Sequence, residues 1–224
     1  MVAGAGRQIP LDLSLRPDYG AARFVDAPSN AEARAALAAG GWSNSALAVI
    51  GPAGCGKTHL GHLWAQDCGA ICLRGDDDMS ALGSWRGRSV WLDDASRASE
   101  ELLFALINMG MRGELTALLL TARAAPATWD VQIPDLRSRL GAMQVARIDP
   151  PEDALLEAIY KKLFLDRGLK VADNLIAWLL LREGRSVDAA FAVVERLDRL
   201  SAAQKANVTR SFAAKYLDEQ GDLF

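Results

Sequence analysis

A glycine-rich loop between an apolar run and a helical segment is the feature that most constrains how this 224-residue chain can fold. Residues 51–58 read GPAGCGKT and match the pattern G-x-x-x-x-G-K-[ST]. The preceding run, ALAVI at 46–50, has the uniform apolarity of a buried parallel strand, and residues 60–66 have a helical pattern. Because strand, glycine turn and helix follow in the order that a phosphate-binding loop requires, we predict a nucleotide site here. The alternative is a glycine turn that matches the pattern by chance.

Each part of this loop has an expected role in holding phosphate. Glycines let successive backbone N–H groups point at one phosphate cluster, and the following helix adds the positive end of its dipole. Lys57 is predicted to reach the β and γ phosphates, and the Thr58 hydroxyl is predicted to ligate Mg²⁺. The predicted phosphate-binding residues are Gly51, Pro52, Ala53, Gly54, Cys55, Gly56, Lys57 and Thr58.

A second apolar run closes on two carboxylates. Residues 89–94 read SVWLDD, which is the pattern of a buried strand with acidic residues at its end. We expect Asp93 to hold Mg²⁺ through its water shell and Asp94 to orient or polarise an attacking water. A solvated strand end is the alternative. Trp91 is expected to be a core residue.

Composition, net charge and cysteine content limit the kinds of protein this chain can be. With 50% hydrophobic residues, the chain can bury one sizeable core and a small second domain. A formal net charge of −3 argues against nucleic-acid binding by bulk charge but leaves a local basic patch open. The three cysteines, Cys55, Cys68 and Cys72, form no metal-ligand set and fit reduced thiols. Because we find neither a signal peptide nor a run long enough to cross a bilayer, we predict a cytoplasmic protein with no membrane partner.

Predicted strands and helices alternate as far as residue 150, which favours right-handed β-α-β units and an α/β fold with a parallel sheet covered on both faces. Ser29 is predicted to open the first helix in a capping box with Glu32, and this helix is predicted to end near Gly40. The predicted strands are 47–50, 70–73, 89–92, 116–121 and 143–148, with helices at about 58–67, 99–111 and 135–140.

The pattern changes at Pro150 and Pro151, after which apolar residues recur with helical period. Four helices are predicted there, at 152–167, 172–182, 187–200 and 208–217. The predicted organisation is an extended tail at 1–20, an α/β nucleotide-binding domain at 21–150, a small all-α lid at 151–219 and a C-terminal tail at 220–224.

With these elements placed, the chain resembles the AAA+ ATPases and, within them, the DnaA group of replication initiators and their relative Hda. Four stretches carry the resemblance: FVDAPSN at 24–30, GKTHL at 56–60, LDD at 92–94 and IPDLRSRL at 133–140. The resemblance covers nearly the whole chain and implies an AAA+ P-loop fold that binds ADP or ATP with Mg²⁺. It also implies a nucleotide-binding role for His59, since a histidine after the threonine is typical of the group.

Two further residues gain expected roles from the resemblance. Arg139 matches the position of the group's arginine finger, which would enter a neighbour's nucleotide site and act in trans on the transferring phosphoryl group. Thr121 matches a polar sensor position between the loop strand and the acidic strand, where a hydroxyl would bond the γ-phosphate or the lytic water. The alternatives are a surface ion pair for Arg139 and a strand cap for Thr121.

The lid departs from the family pattern. DnaA relatives carry a sensor arginine early in the third lid helix, where this chain aligns Asp188 and places Arg185 three residues earlier. Because residues three apart share a helix face, Arg185 is predicted to reach the phosphates from one turn away. Intrinsic ATP hydrolysis is therefore expected to be weak.

Two terminal peptides resemble motifs that dock on the bacterial sliding clamp. QIPLDL at 8–13 stands where Hda proteins carry theirs, and QGDLF occupies 220–224. Such a peptide inserts apolar anchors into a cleft while the glutamine amide fixes its register. The predicted clamp-binding residues are Gln8, Ile9, Leu11, Leu13, Leu223 and Phe224. Ordinary tails are the alternative.

No DNA-binding helix-turn-helix domain follows the lid before the last residue, Phe224, which favours a regulator over an initiator. The expected function is negative regulation of replication initiation: a nucleotide-binding protein that docks on the β sliding clamp of DNA polymerase III and stimulates ATP hydrolysis by DnaA. Sequence-specific DNA binding is not expected, and a homo-oligomer is left open. A non-catalytic DnaA-like adaptor and a helicase-loader-type ATPase are the alternatives.

Overall fold

A parallel β-sheet forms the centre of the computed structural model, which describes residues 24–75, 77 and 79–218. Its strands are β1 Ala46–Ile50, β2 Ile71–Arg74, β3 Ser89–Asp93, β4 Ala117–Ala122 and β5 Gln144–Arg147. In this part of the chain the sheet order is β2-β3-β4-β1-β5, and every neighbouring pair is parallel. The carboxyl ends of the strands therefore meet at one edge, where α/β proteins bind ligands.

Helices cover both faces of this sheet. The α-helices of the described residues are α1 Pro28–Ala39, α2 Lys57–Cys68, α3 Glu100–Met111, α4 Pro134–Gly141, α5 Asp153–Asp166, α6 Asp173–Arg182, α7 Val187–Gln204 and α8 Arg210–Asp218, and the first four of them pack on the sheet. Side chains alternate along β1, so that Ala46, Ala48 and Ile50 share a core with α3 and α4. Leu47 and Val49 share the opposite core with α1 and α2. Because both faces are covered, all of β1 is buried.

The helices α5 to α8 pack around a core of their own. Leu155, Ile159 and Leu163 recur at helical spacing on α5 and are buried against Leu179 of α6 and Val194 of α7. The predicted fold class, a parallel α/β sheet followed by helices, is confirmed. The domain limit near residue 150 stays a prediction. Within the described residues, no helix has the length and apolar character needed to cross a membrane.

The prediction that Ser29 caps the first helix is wrong. Helix α1 starts one residue earlier, at Pro28, whose fixed φ suits the first helical position, and Ala27 is the N-cap. The Asn30 side chain accepts from the Ala27 backbone N–H at 3.2 Å, whereas Glu32 accepts from the Arg147 backbone N–H, also at 3.2 Å. Glu32 therefore ties α1 to β5 instead of closing a capping box.

The termini carry predictions that the structure does not address. The tails at 1–20 and 220–224 lie outside the described residues. So do the predicted clamp-binding residues Gln8, Ile9, Leu11, Leu13, Leu223 and Phe224.

Candidate nucleotide-binding site

The glycine loop leaves the carboxyl end of β1 and leads directly into α2. Gly54 and Gly56 have φ values of +68° and +100°, a left-handed conformation that glycine adopts without the strain a side chain would cause. Gly56 is the N-cap of α2, which starts at Lys57. The free N–H groups and the positive dipole end of α2 are therefore next to the loop, which is the arrangement that binds a phosphate.

The Lys57 side chain folds over this loop. Its Nζ donates to the backbone oxygens of Gly51 at 2.8 Å and Pro52 at 2.7 Å, and lies 3.8 Å from Cys55 Sγ. Burial raises the pKa of the Cys55 thiol, although the Lys57 charge opposes this shift, so the thiol is neutral at pH 7. The loop thus contains one ammonium group and no thiolate to compete with a phosphate for it.

Three predicted site residues from separate elements converge at the strand ends. The Thr58 hydroxyl of α2 donates to Asp93 Oδ2 at 3.1 Å, and the Thr121 hydroxyl of β4 donates to Asp93 Oδ1 at 2.6 Å. They meet because β3 and β4 are parallel neighbours and α2 starts beside them. We call Thr58, Asp93 and Thr121 the oxygen cluster.

The oxygen cluster has the donor chemistry that Mg²⁺ requires. Thr58 and Asp93 supply a hydroxyl and a carboxylate, both hard oxygen ligands, only 3.1 Å apart. The described residues contain no group of three His, Cys, Asp or Glu side chains that could by themselves hold a metal ion. Mg²⁺ that arrives with a nucleotide needs only one or two carboxylates, because phosphates and water complete its shell. The residues present therefore fit this ion.

Trp91 has a role that sequence reasoning missed. It is 2% exposed, as expected of a core residue, but its indole N–H donates to Thr121 Oγ1 at 3.1 Å. The His62 ring packs edge-on against the indole, with centroids 4.7 Å apart. Burial lowers the pKa of His62, against the opposing charge of Asp93. The sequence did contain a signal for this role: a tryptophan lies two residues before the acidic pair, and a buried indole N–H needs a hydrogen-bond acceptor.

Asp94 lies outside the oxygen cluster. It has a left-handed φ of +51°, and its carboxylate is 3.7 Å from the Arg97 guanidinium one turn later. The described hydrogen bonds of the cluster do not include Asp94. Its role in orienting water therefore stays a prediction.

The lid touches the glycine loop through the start of α7. The Val187 backbone N–H donates to Gly54 O at 2.8 Å, and the Ser186 hydroxyl caps α7 by accepting from Ala189 N at 3.0 Å. A Cβ built on Gly54 would lie 2.5 Å from Ser186 Cβ and 3.3 Å from Asp188 Oδ2. The lid thus places a carboxylate, Asp188, against the loop.

Arg185 has a different partner in this structure. Its guanidinium is 2.5 Å from the Asp153 carboxylate at the start of α5, and both side chains are 62% exposed. Its predicted contact with phosphate stays a prediction.

His59 connects α2 to the segment at residues 24–30. It is buried, and the Phe24 ring packs edge-on against it with centroids 5.2 Å apart. The two residues come from two of the stretches that carry the family resemblance. Their contact places the segment beside the first turn of α2, next to the glycine loop.

Arg139 is held by its own chain. Its Nε and Nη2 donate to the Asp135 carboxylate at 3.0 and 2.6 Å, one turn earlier on α4. Its Nη1 donates to the Asn108 side chain of α3, and the guanidinium carbon lies 5.2 Å from the centre of the Phe104 ring. Only 24% of the side chain is exposed. The guanidinium is therefore in an intramolecular ion pair, and its action on a neighbour's nucleotide stays a prediction.

Solved structures share this architecture. Domain III of the replication initiation protein DnaA from Thermotoga maritima matches with a TM-score of 0.76 at 16% identity, over 91% of this chain and 97% of that one. A DnaA structure bound to AMPPCP and single-stranded DNA matches with a TM-score of 0.66 at 18% identity, over 86% and 69%. A RuvB variant from T. maritima matches with a TM-score of 0.67 at 18% identity, over 88% and 70%.

The chain has the AAA+ fold. The match covers nearly the whole of both chains, and it confirms the predicted fold class, a parallel α/β sheet flanked by helices with further helices after it. At identities below 25% the likeness extends to the fold alone.

Curated proteins also match the chain in sequence. An uncharacterised protein of Haemophilus influenzae is 27% identical over 148 residues, which is 66% of this chain. The match spans only 58% of that protein's length. None of the protein-family models matches the chain.

Proposed function

We propose that this AAA+ module binds an adenine nucleotide with Mg²⁺. The observation that carries the proposal is the convergence of Lys57, Thr58 and Asp93 at the carboxyl edge of the sheet. Lys57 would exchange the carbonyls of Gly51 and Pro52 for phosphate oxygens, and Thr58 and Asp93 would hold the metal. A DnaA neighbour bound to AMPPCP supports the adenine preference.

We further propose that the protein regulates replication initiation by docking on the sliding clamp and stimulating ATP hydrolysis by DnaA. The likeness to nearly all of DnaA domain III supports an association between two AAA+ modules of the same fold. In such an association Arg139 would leave Asp135 and enter the nucleotide site of DnaA. The nucleotide on this chain would act mainly as a switch of lid position.

The free energies involved favour movement of the Arg139 side chain from Asp135 into the nucleotide site of DnaA. An ion pair four residues apart on a helix contributes about 0.5 kcal/mol, because both ends compete with water. An arginine finger raises hydrolysis by roughly 10³–10⁵-fold, or about 4–7 kcal/mol. The Asn108 hydrogen bond and the Phe104 ring contact would add about 1 kcal/mol each to the cost of releasing Arg139, which stays below the gain in the transition state.

The test is single-turnover ATP hydrolysis by DnaA in the presence of DNA-loaded clamp and this protein. Arg139→Ala should abolish stimulation while leaving binding to the clamp and to nucleotide intact. Arg97→Ala is the matched control, since Arg97 is an 81% exposed arginine whose partner is also an aspartate. Full stimulation by Arg139→Ala would refute the finger assignment.

Clamp docking has a separate test, because its predicted peptides lie outside the described residues. Replacing Gln8 and Leu11 with alanine should weaken binding in a direct titration with the clamp. Replacing Leu223 and Phe224 instead identifies any contribution of the second peptide. Unchanged affinity in both variants would remove the clamp from the proposal.

A non-catalytic DnaA-like adaptor is the second candidate, and the contacts of Arg139 with Asp135 and Asn108 favour it. An adaptor would bind DnaA without changing its hydrolysis rate. The two functions therefore separate in one assay: binding with stimulation indicates the regulator, and binding without stimulation indicates the adaptor.

A further inference from the structure

A chain of hydrogen bonds runs from the buried core to the oxygen cluster. The Trp91 indole N–H donates to Thr121 Oγ1 at 3.1 Å, and the Thr121 hydroxyl donates to Asp93 Oδ1 at 2.6 Å. Thr58 donates to the other oxygen, Asp93 Oδ2, at 3.1 Å. Trp91 and Thr121 are 2% and 1% exposed, so water does not compete for these bonds.

The direction of each bond follows from the available hydrogens. An indole nitrogen is only a donor, so Thr121 Oγ1 must accept from Trp91. A hydroxyl has one hydrogen, and for Thr121 the nearest acceptor is Asp93 at 2.6 Å, well inside the 3.4 Å to Leu92 O. The Thr121 hydrogen is thus committed to the carboxylate and is not offered to a phosphate or to water.

Packing from α2 fixes the indole. A Cβ built on Gly61 would lie 2.8 Å from Trp91 Nε1, so the ring lies directly on the glycine backbone. His62 packs edge-on against the same ring. Because α2 also carries Lys57 and Thr58, one helix sets both the phosphate-binding groups and the indole that orients Thr121.

From this geometry we propose that Trp91 and Thr121 are positioning residues that orient the Asp93 carboxylate for the Mg²⁺ of a bound nucleotide. Thr121 acts on Asp93 and does not contact the γ-phosphate. Removing either donor leaves the phosphate loop intact and lets the carboxylate rotate. The loss therefore falls on metal binding and not on nucleotide binding as such. This inference rests on the proposed binding of a nucleotide with Mg²⁺.

The experiment measures the affinity of fluorescent ADP twice for each protein, once in Mg²⁺ and once in EDTA. The ratio of the two dissociation constants is the magnesium gain. Trp91→Phe keeps the ring and removes the N–H, and Thr121→Val keeps the shape and removes the hydroxyl. For the loss of one buried hydrogen bond we expect the gain to fall about fivefold in each variant, with affinity in EDTA within about twofold of wild type.

Two controls separate positioning from general damage. Trp85→Phe removes a 3% exposed tryptophan from the core shared with α3 and should leave the magnesium gain unchanged. Thr121→Ser retains a hydroxyl and should restore most of the gain. Melting temperatures show whether each variant is folded, and Thr121→Val decides the question if Trp91→Phe does not fold.

The outcomes distinguish the inference from the proposed function. Nucleotide affinity with an unchanged magnesium gain in Thr121→Val would overturn the positioning role alone. Absence of nucleotide affinity in the wild-type protein, in either buffer, would overturn the proposed function itself. A reduced gain in both donor variants, with Trp85→Phe like wild type, supports the inference.

Discussion

Replacing Asp188 with asparagine should tighten nucleotide binding, because it removes a negative charge from the edge of the phosphate loop. Asp188 is exposed, and a Cβ on Gly54 would lie 3.3 Å from its Oδ2. A phosphate held by the loop would lie near this carboxylate, and we take roughly 6 Å as the separation of the two charges. At that distance and the dielectric constant of water, two unit charges repel by about 0.7 kcal/mol, or about threefold in affinity.

The gain should follow the charge of the ligand and the ionic strength. MgADP has a net charge near −1 and should gain about threefold at low salt, whereas MgATP, near −2, should gain about tenfold. At physiological salt the Debye length of about 8 Å should reduce both gains by roughly half on the free-energy scale. Titration calorimetry with each ligand at two salt concentrations measures these differences directly.

The matched control is Asp173→Asn. It removes an aspartate from the first turn of α6, just as Asp188→Asn removes one from the first turn of α7. Both substitutions remove a favourable interaction between a carboxylate and a helix dipole. A loss of folding stability that the two variants share is therefore not caused by the phosphate loop. Equal or weaker ATP affinity in Asp188→Asn, with an unchanged control, would refute the electrostatic reasoning.

Two further outcomes are expected from the structure. Gly54→Ala should destabilise the protein more than Gly69→Ala. Both glycines have positive φ, but a Cβ at Gly54 would meet Ser186, whereas a Cβ at Gly69 would have open space. Thermal denaturation of the two variants measures the difference, and equal losses of stability would contradict the lid contact. Burial raises the pKa of Tyr160 to about 12, so the folded state keeps this proton longer than the unfolded chain. Stability should therefore fall as pH rises from 10 towards 12, and Tyr160→Phe should reduce that slope in urea titrations. Equal slopes in the wild type and the variant would contradict this contribution of Tyr160.

Local patterns were sufficient to predict the framework. The uniform apolarity of residues 46–50 reflects burial on both faces, and the glycines at 54 and 56 reflect the left-handed turn before α2. Apolar periodicity on α5 identified the buried residues Leu155, Ile159 and Leu163. These features depend on nearby residues, so they can be recognised without knowledge of tertiary structure.

Contacts between distant residues could not be predicted in the same way. Trp91 and Thr121 are 30 residues apart, and Arg139 and Asn108 are 31 apart. A tryptophan in an apolar run indicates burial but does not identify its acceptor, and an arginine in a familiar motif does not indicate which side chains hold it. At α1, Ser29 and Glu32 matched a capping pattern, but Pro28 moved the helix start by one residue.

Lys57 is the residue through which the glycine loop is proposed to bind an adenine nucleotide. The decisive measurement is an equilibrium titration of fluorescent ADP in Mg²⁺ with wild-type protein and with Lys57→Ala. Within the described residues, the hydrogen bonds of the Lys57 ammonium end on the carbonyls of Gly51 and Pro52 and on the Cys55 sulfur, so the variant should keep its fold and melting temperature. We expect saturable binding by the wild type and a loss of about 100-fold in the variant, as for a charge-assisted contact in a partly buried site. No binding by the wild type, or equal binding by the two proteins, would refute the proposed role of Lys57.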